Sequence, residues 1–176
     1  MKVAVVDTNV ILIANNAHAE VSPECVIACV NRLNALMKSG ALVLDDGYRI
    51  LQEYQNRTTP RKAKGVGDVF VQWVLRHQGQ PNHVQQVTLT EYQKDRFEEF
   101  PDPVLEPRFD APDRKFAAVS HKHPDHPPIW QAADCKWLDW WPALDTCGVK
   151  VEFLCEADVC RFYAKKFPAK PVPLLP

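Results

Sequence analysis

Short aliphatic runs alternate along this chain with stretches of helical period, and that alternation constrains the fold more than any other feature. The runs are Lys2 to Val6, Ala41 to Leu44, Val84 to Leu89, Ile129 to Ala133 and Val149 to Leu154. Between them, Pro23 to Lys38 carries Val26, Ile27, Val30, Leu33, Leu36 and Met37 at helical spacing, and Ser39-Gly40 closes it. Further helices are expected over Tyr48 to Arg57, Val66 to His77, Thr90 to Phe100, Arg114 to Ser120 and Lys136 to Leu144. Strands that alternate with helices imply a parallel sheet covered on both faces. With 176 residues, 46% of them hydrophobic, the chain suits one domain over 1–167 and falls short of two domains of roughly 100 to 200 residues each. Residues 168–176 hold four prolines and read as an extended tail.

The charges balance, 21 basic against 22 acidic, so no global field draws the chain to nucleic acid or to an anionic membrane. Phosphate binding must come from a local patch. Arg57, Arg61, Lys62 and Lys64 form the densest cationic stretch, in a loop between two helices. No run approaches the ~18 apolar residues of a membrane span, and the apolar start of the chain is cut by Asp7 and Asn9, unlike an export signal. The six cysteines form no Cys-x-x-Cys pair and read as free, mostly buried thiols in a reducing cytoplasm.

In open parallel sheets, ligands bind outside the carboxyl ends of the strands, where strand order reverses. Asp7 and Asp134 each follow a strand end, and Glu53 and Asp113 lie early in helices starting from the same edge. Four carboxylates meeting there raise one another's pKa values and call for a cation. Hard oxygen ligands without paired histidine or thiolate select Mg²⁺ or Mn²⁺. Asp139, one helical turn past Asp134, is a further candidate. Taken singly, Asp7 is equally a helix N-cap, Glu53 more often a solvated helix residue, and Asp110 a cap that leaves Asp113 to favour the helix dipole. Trp137, Trp140 and Trp141 share one helix face and read as a core stripe.

These acidic segments, in this order, resemble the PIN-domain nucleases. Val5-Val6-Asp7-Thr8-Asn9-Val10 looks like the family's opening strand, Leu51-Gln52-Glu53-Tyr54 like its glutamate helix, and Asp113-Arg114-Lys115-Phe116 like its third acidic element. Asp134-Cys135-Lys136-Trp137, then Leu144 and Gly148 to Val151, looks like its last acidic element, helix and strand. The resemblance implies a three-layer α/β/α Rossmann-like sandwich and an endonuclease acting on RNA rather than DNA. It makes Asp7, Glu53, Asp113 and Asp134 the metal ligands, Thr8 or Asn9 a holder of phosphate or ligand water, and Arg57, Arg61, Lys62, Lys64 and Lys115 contacts to nucleic acid. No membrane partner is implied; a homodimer and an inhibitor or antitoxin partner stay open. Ala133 departs from the hydroxyl residue often found there, and the segment from Arg57 to Pro112 exceeds that of the compact toxin members.

Two other readings stand beside it. His121-Lys122-His123-Pro124-Asp125-His126 resembles the His-x-His-x-Asp-His motif of metallo-β-lactamase-like zinc hydrolases, yet no histidine follows it and the remaining chain is too short for that fold's second half. A PIN-like module that binds RNA or protein without cutting is the third.

Overall fold

The computed structural model describes residues 1–176. Strand β1 (Lys2–Val6) leads into helix α1 (Thr8–Ala14), then α2 (Pro23–Ser39), β2 (Gly40–Asp45), α3 (Arg49–Arg57) and α4 (Val66–His77). Next come β3 (Val84–Val87), a small hairpin β4 (Glu91–Gln93) and β5 (Arg96–Phe97), α5 (Arg114–Lys122), β6 (Ile129–Gln131), α6 (Trp137–Thr146), β7 (Val151–Phe153) and α7 (Glu156–Lys166). The main sheet has five strands in the order β3-β2-β1-β6-β7, every pair parallel. With helices on its two faces it is a three-layer α/β/α Rossmann-like sandwich. Strand order reverses between β1 and β6, because β2 and β3 extend to one side of β1 while β6 and β7 extend to the other.

Burial explains why the inner strands are aliphatic. All of β2 and the last three residues of β1 are buried, as for strands covered by helices on both faces. Helix α5 lies against β1, β2 and β6, while α1, α2 and α4 pack together. Helix α4 reaches α1 closely at Gly67, where a Cβ would stand 2.2 Å from the Ile11 carbonyl. Trp137 and Trp140 are buried and Phe109 stacks on Trp140, so that stripe is core. Trp141 instead donates from its indole to the Leu174 carbonyl and holds the tail, which has no helix.

Two expectations give way, and one helix is new. Residues 90–100 are not a helix but an antiparallel hairpin with Asp95 at φ +54 in its turn. The buried Glu106 carboxylate organises it, accepting from the Tyr92 hydroxyl, the Arg96 guanidinium and the Phe97 amide. A burial-shielded carboxylate with three donors outweighs the weak helix propensity of this polar segment. Helix α7 is added beyond the last strand. The cysteines are not all free: Cys25, on the first turn of α2, is disulfide-bonded to Cys155, just ahead of α7. Cys29, Cys135, Cys147 and Cys160 remain thiols. No helix is long and apolar enough to cross a membrane.

Candidate metal centre

Asp7 is the first residue past β1, at the point where strand order reverses. It caps α1, its Oδ1 accepting from the Asn9 amide at 2.8 Å, and it is buried. The capping and cluster roles therefore fall on one side chain. Asp134 follows the end of β6 by three residues, in a turn held by Gln131, whose buried Oε1 accepts from the Ala132 and Asp134 amides. Glu53 arrives from α3. Its Oε1 accepts from the Thr8 hydroxyl at 2.5 Å and its Oε2 lies 2.5 Å from Lys115 Nζ. Asp113 ends a short 3₁₀ turn that opens into α5.

These four acids share one electrostatic environment. Burial drives the Asp7 carboxyl up to about 7, and the charges of Asp134 and Glu53 push the same way against Lys115. Burial likewise lifts Asp113 to about 8, with Asp7, Asp134 and Asp110 adding to the rise. Asp134 is raised by burial and restrained by the Lys136 amide and by the Lys136 and Lys166 ammonium groups. Two carboxyls that hold protons near neutral pH are the signature of like charges kept together out of water.

The oxygens do not form a closed cage. The one trio of histidine, cysteine or carboxylate ligand atoms within 4.8 Å of one another is Cys25, Cys29 and Cys155, two of which are committed to the disulfide. Glu53 and Lys115 line one opening at this edge, and Asp134 lines another. The carboxylate set still fits Mg²⁺ or Mn²⁺, since Mg²⁺ keeps several waters and takes one or two carboxylates rather than a full protein cage. The thiol beside Asp134, Cys135, is buried and raised above its ordinary range by that burial, which disfavours the thiolate a softer metal needs.

Other anticipated residues sit differently. Asp139 is exposed and accepts from the Tyr163 hydroxyl at 2.7 Å, away from the cluster. Asp110 caps nothing with its side chain; it pairs with Lys136 and adds to the field at Asp113 and Asp134. Thr8 is spent on Glu53, and the Asn9 amide oxygen accepts from the Ala132 backbone at 3.1 Å, bridging the ends of β1 and β6. Lys115 is buried against Glu53 instead of standing free for nucleic acid.

Two open grooves flank the acids. One, of about 590 Å³, is lined by Arg49, Glu53, Arg57, Lys94 and Lys115; the other, of about 570 Å³, by Asn9, Arg57, Asp134, Phe162, Lys165 and Lys166. Arg57 lines both. Arg61, Lys62 and Lys64 line a separate opening with Gln55 and Thr58, sharing no residue with either groove. Their loop is fixed by the buried Asp68 carboxylate, which accepts from the Thr59 and Lys64 amides and the Asn15 side chain. Lys94, Lys165 and Lys166 add groove cations, of which the adjacent lysines 165 and 166 closing a helix carry a sequence signal, while Arg49 is paired with Asp45 and Glu91.

The histidine motif does not converge. His121 Nδ1 bonds the Glu99 carbonyl, His123 Nε2 bonds the Gln85 amide oxygen, and Asp125 engages His123 only through its backbone amide. No family model, curated protein or solved structure matches this chain.

Proposed function

We propose that the chain is a divalent-metal-dependent endonuclease that hydrolyses phosphodiester bonds. One observation carries the reading: four carboxylates from four separate elements gather at the carboxyl edge where strand order reverses, and burial raises the pKa of three of them, Asp7, Asp113 and Asp134. Asp7, Asp113 and Asp134 are the ligands best placed to hold Mg²⁺ or Mn²⁺, with Glu53 beside them. Such an ion, when bound, supplies an acidified water and neutralises charge on the phosphoryl oxygens. Arg57 stands where the two grooves join and binds a backbone phosphate, while Lys165 and Lys166 bind the strand on the Asp134 side. RNA is favoured over DNA on the PIN-like resemblance alone.

A second reading draws on a specific observation. The Lys115 to Glu53 pair and the wide carboxylate spacing also suit a PIN-like module that binds RNA or protein without cutting. Labelled single-stranded RNA and DNA incubated with Mg²⁺, Mn²⁺, Zn²⁺ or chelator separates the two. Cleavage with Mg²⁺ or Mn²⁺ that chelator abolishes supports the nuclease; retention of RNA without cleavage in any metal supports the module.

A cytoplasmic setting belongs to this proposal. The four free thiols suit it, and the Cys25–Cys155 disulfide opposes it, because disulfides persist in oxidising compartments.

A further inference from the structure

Three of the six cysteines meet in the core where the start of α2 faces the start of α7. Cys25 and Cys29 lie one turn apart on α2, Cys155 directly precedes α7, and none of the three is more than 5% exposed. Cys25 and Cys155 form the disulfide. The Cys29 sulfur nevertheless stands 4.0 Å from that of Cys155 and within 4.8 Å of that of Cys25, so it flanks the bond and can reach Cys155 by a small side-chain movement. A second tie holds the same two helix ends together whichever cysteine is bonded. The Ser22 amide and hydroxyl both donate to the buried Asp158 carboxylate of α7, and the Ser22 hydroxyl oxygen accepts from the Cys25 amide.

We propose that Cys155 has two alternative disulfide partners on α2, Cys25 and Cys29, so that the covalent link to α7 can take either of two positions one helical turn apart. Side chains four residues apart on a helix lie on one face, one above the other, and both address a sulfur that approaches that face. They do not bond each other, since their Cβ atoms stand roughly 5–6 Å apart and a disulfide needs roughly 3.5–4.5 Å. Cys155 is therefore the member that every pairing needs. Conversion uses an external thiol couple. A dithiol opens the Cys25–Cys155 bond, leaving two thiols and becoming a cyclic disulfide. A small-molecule disulfide then takes the two electrons and two protons of the Cys29 and Cys155 thiols and leaves as two thiols while the Cys29–Cys155 bond forms. Burial pushes the Cys29 thiol up to about 12, so the choice is made during folding or after opening and not by attack within the packed native chain. The alternative bond moves the link about 6 Å along α2, toward its middle. Its other end anchors the helix that brings Phe162, Lys165 and Lys166 to the groove beside Asp134.

The test is disulfide mapping by mass spectrometry on full-length chains refolded from the reduced, denatured state in a glutathione redox buffer, with free thiols alkylated before digestion. The wild type should give Cys25–Cys155 and four alkylated thiols. Cys25→Ser should give Cys29–Cys155 and Cys29→Ser should keep Cys25–Cys155, each variant losing one alkylated thiol relative to the wild type. Cys155→Ser should show every remaining cysteine alkylated. A folded Cys25→Ser with no disulfide, or with Cys155 bonded to Cys135, Cys147 or Cys160 in its place, overturns the proposal, as does a Cys25–Cys29 bond in Cys155→Ser. If Cys25→Ser does not fold, the wild type opened with dithiothreitol and reclosed with oxidised glutathione in native buffer decides: a Cys29–Cys155 peptide beside Cys25–Cys155 supports the proposal, and Cys25–Cys155 alone overturns it.

Discussion

The Thr8 hydroxyl donates to Glu53 Oε1 at 2.5 Å, joining the first residue of α1 to a glutamate on α3, 45 positions further along the chain. This bond orients Glu53 and leaves its second oxygen to Lys115. Thr8→Val keeps the shape and removes the donor. It should weaken Mn²⁺ affinity by about tenfold, the usual cost of losing a partner behind the ligands, while Thr8→Ser restores it. Calorimetric titration of the three proteins checks this, and equal affinities would separate Thr8 from the centre.

The raised carboxyls make metal-free stability fall with rising pH. An aspartate that titrates near 3.8 when unfolded, but at about 7 or about 8 in the native chain, leaves the native state holding more protons across that interval. Its contribution is greatest below pH 4 and is lost as pH rises to about 8, at up to ~1.4 kcal/mol per pH unit for each group. Melting curves in chelator should therefore show Asp113→Asn gaining on the wild type as pH rises from 5 to 8. Stabilisation by Mn²⁺ should grow over the same range, because the ion displaces those protons. A constant difference between the two proteins would mean that Asp113 is ionised throughout.

Much of this was legible in the sequence, for identifiable reasons. Asp7 and Asp134 follow aliphatic runs so short and so strongly bounded that their place at strand ends needed no tertiary information, and Val66 to His77 was bounded correctly by Gly65 and the turn at Gln78. The hairpin at residues 91–97 was not legible, since what folds it is Glu106, an acid with no local mark of being buried. The partnership of Cys25 with Cys155 spans 130 positions and depends on the start of α7 meeting the start of α2, where Ser22 also donates to Asp158. Lys115 read as a surface cation because nothing in Asp113-Arg114-Lys115-Phe116 says that its side chain turns back toward Glu53. Helix α7 did carry signals: acids Glu156 and Asp158 at its start and Lys165 and Lys166 at its end.

The path of the nucleic acid is tested by salt. Single-strand affinity falls with log salt by about 0.7 for each phosphate neutralised. Arg57→Ala, Lys165→Ala and Lys166→Ala should each flatten that slope by about this amount, measured by fluorescence anisotropy in Ca²⁺ to suppress cleavage. The combined Arg61, Lys62 and Lys64 to Ala variant should leave it unchanged, since those residues line a separate opening. The reverse pattern would move the substrate onto that loop.

The thiols give a count. Protein isolated and denatured without reductant should show four reactive thiols of the six cysteines, with Cys25 and Cys155 silent. Reduction should then cost roughly 2–5 kcal/mol of stability, because the bond closes a very long loop. Six reactive thiols before reduction would show the pair open and favour a reducing compartment.

The central claim is a metal-dependent cut made at the edge where β1 and β6 end, and Asp7→Asn addresses it most directly. Asparagine keeps the cap on the Asn9 amide and removes the charge a hard cation needs. With labelled single-stranded RNA and saturating Mn²⁺, the wild type should cut and Asp7→Asn should show no cleavage above background. The variant should keep wild-type or higher stability in chelator and gain less from Mn²⁺. Cleavage by Asp7→Asn at the wild-type rate would contradict the account.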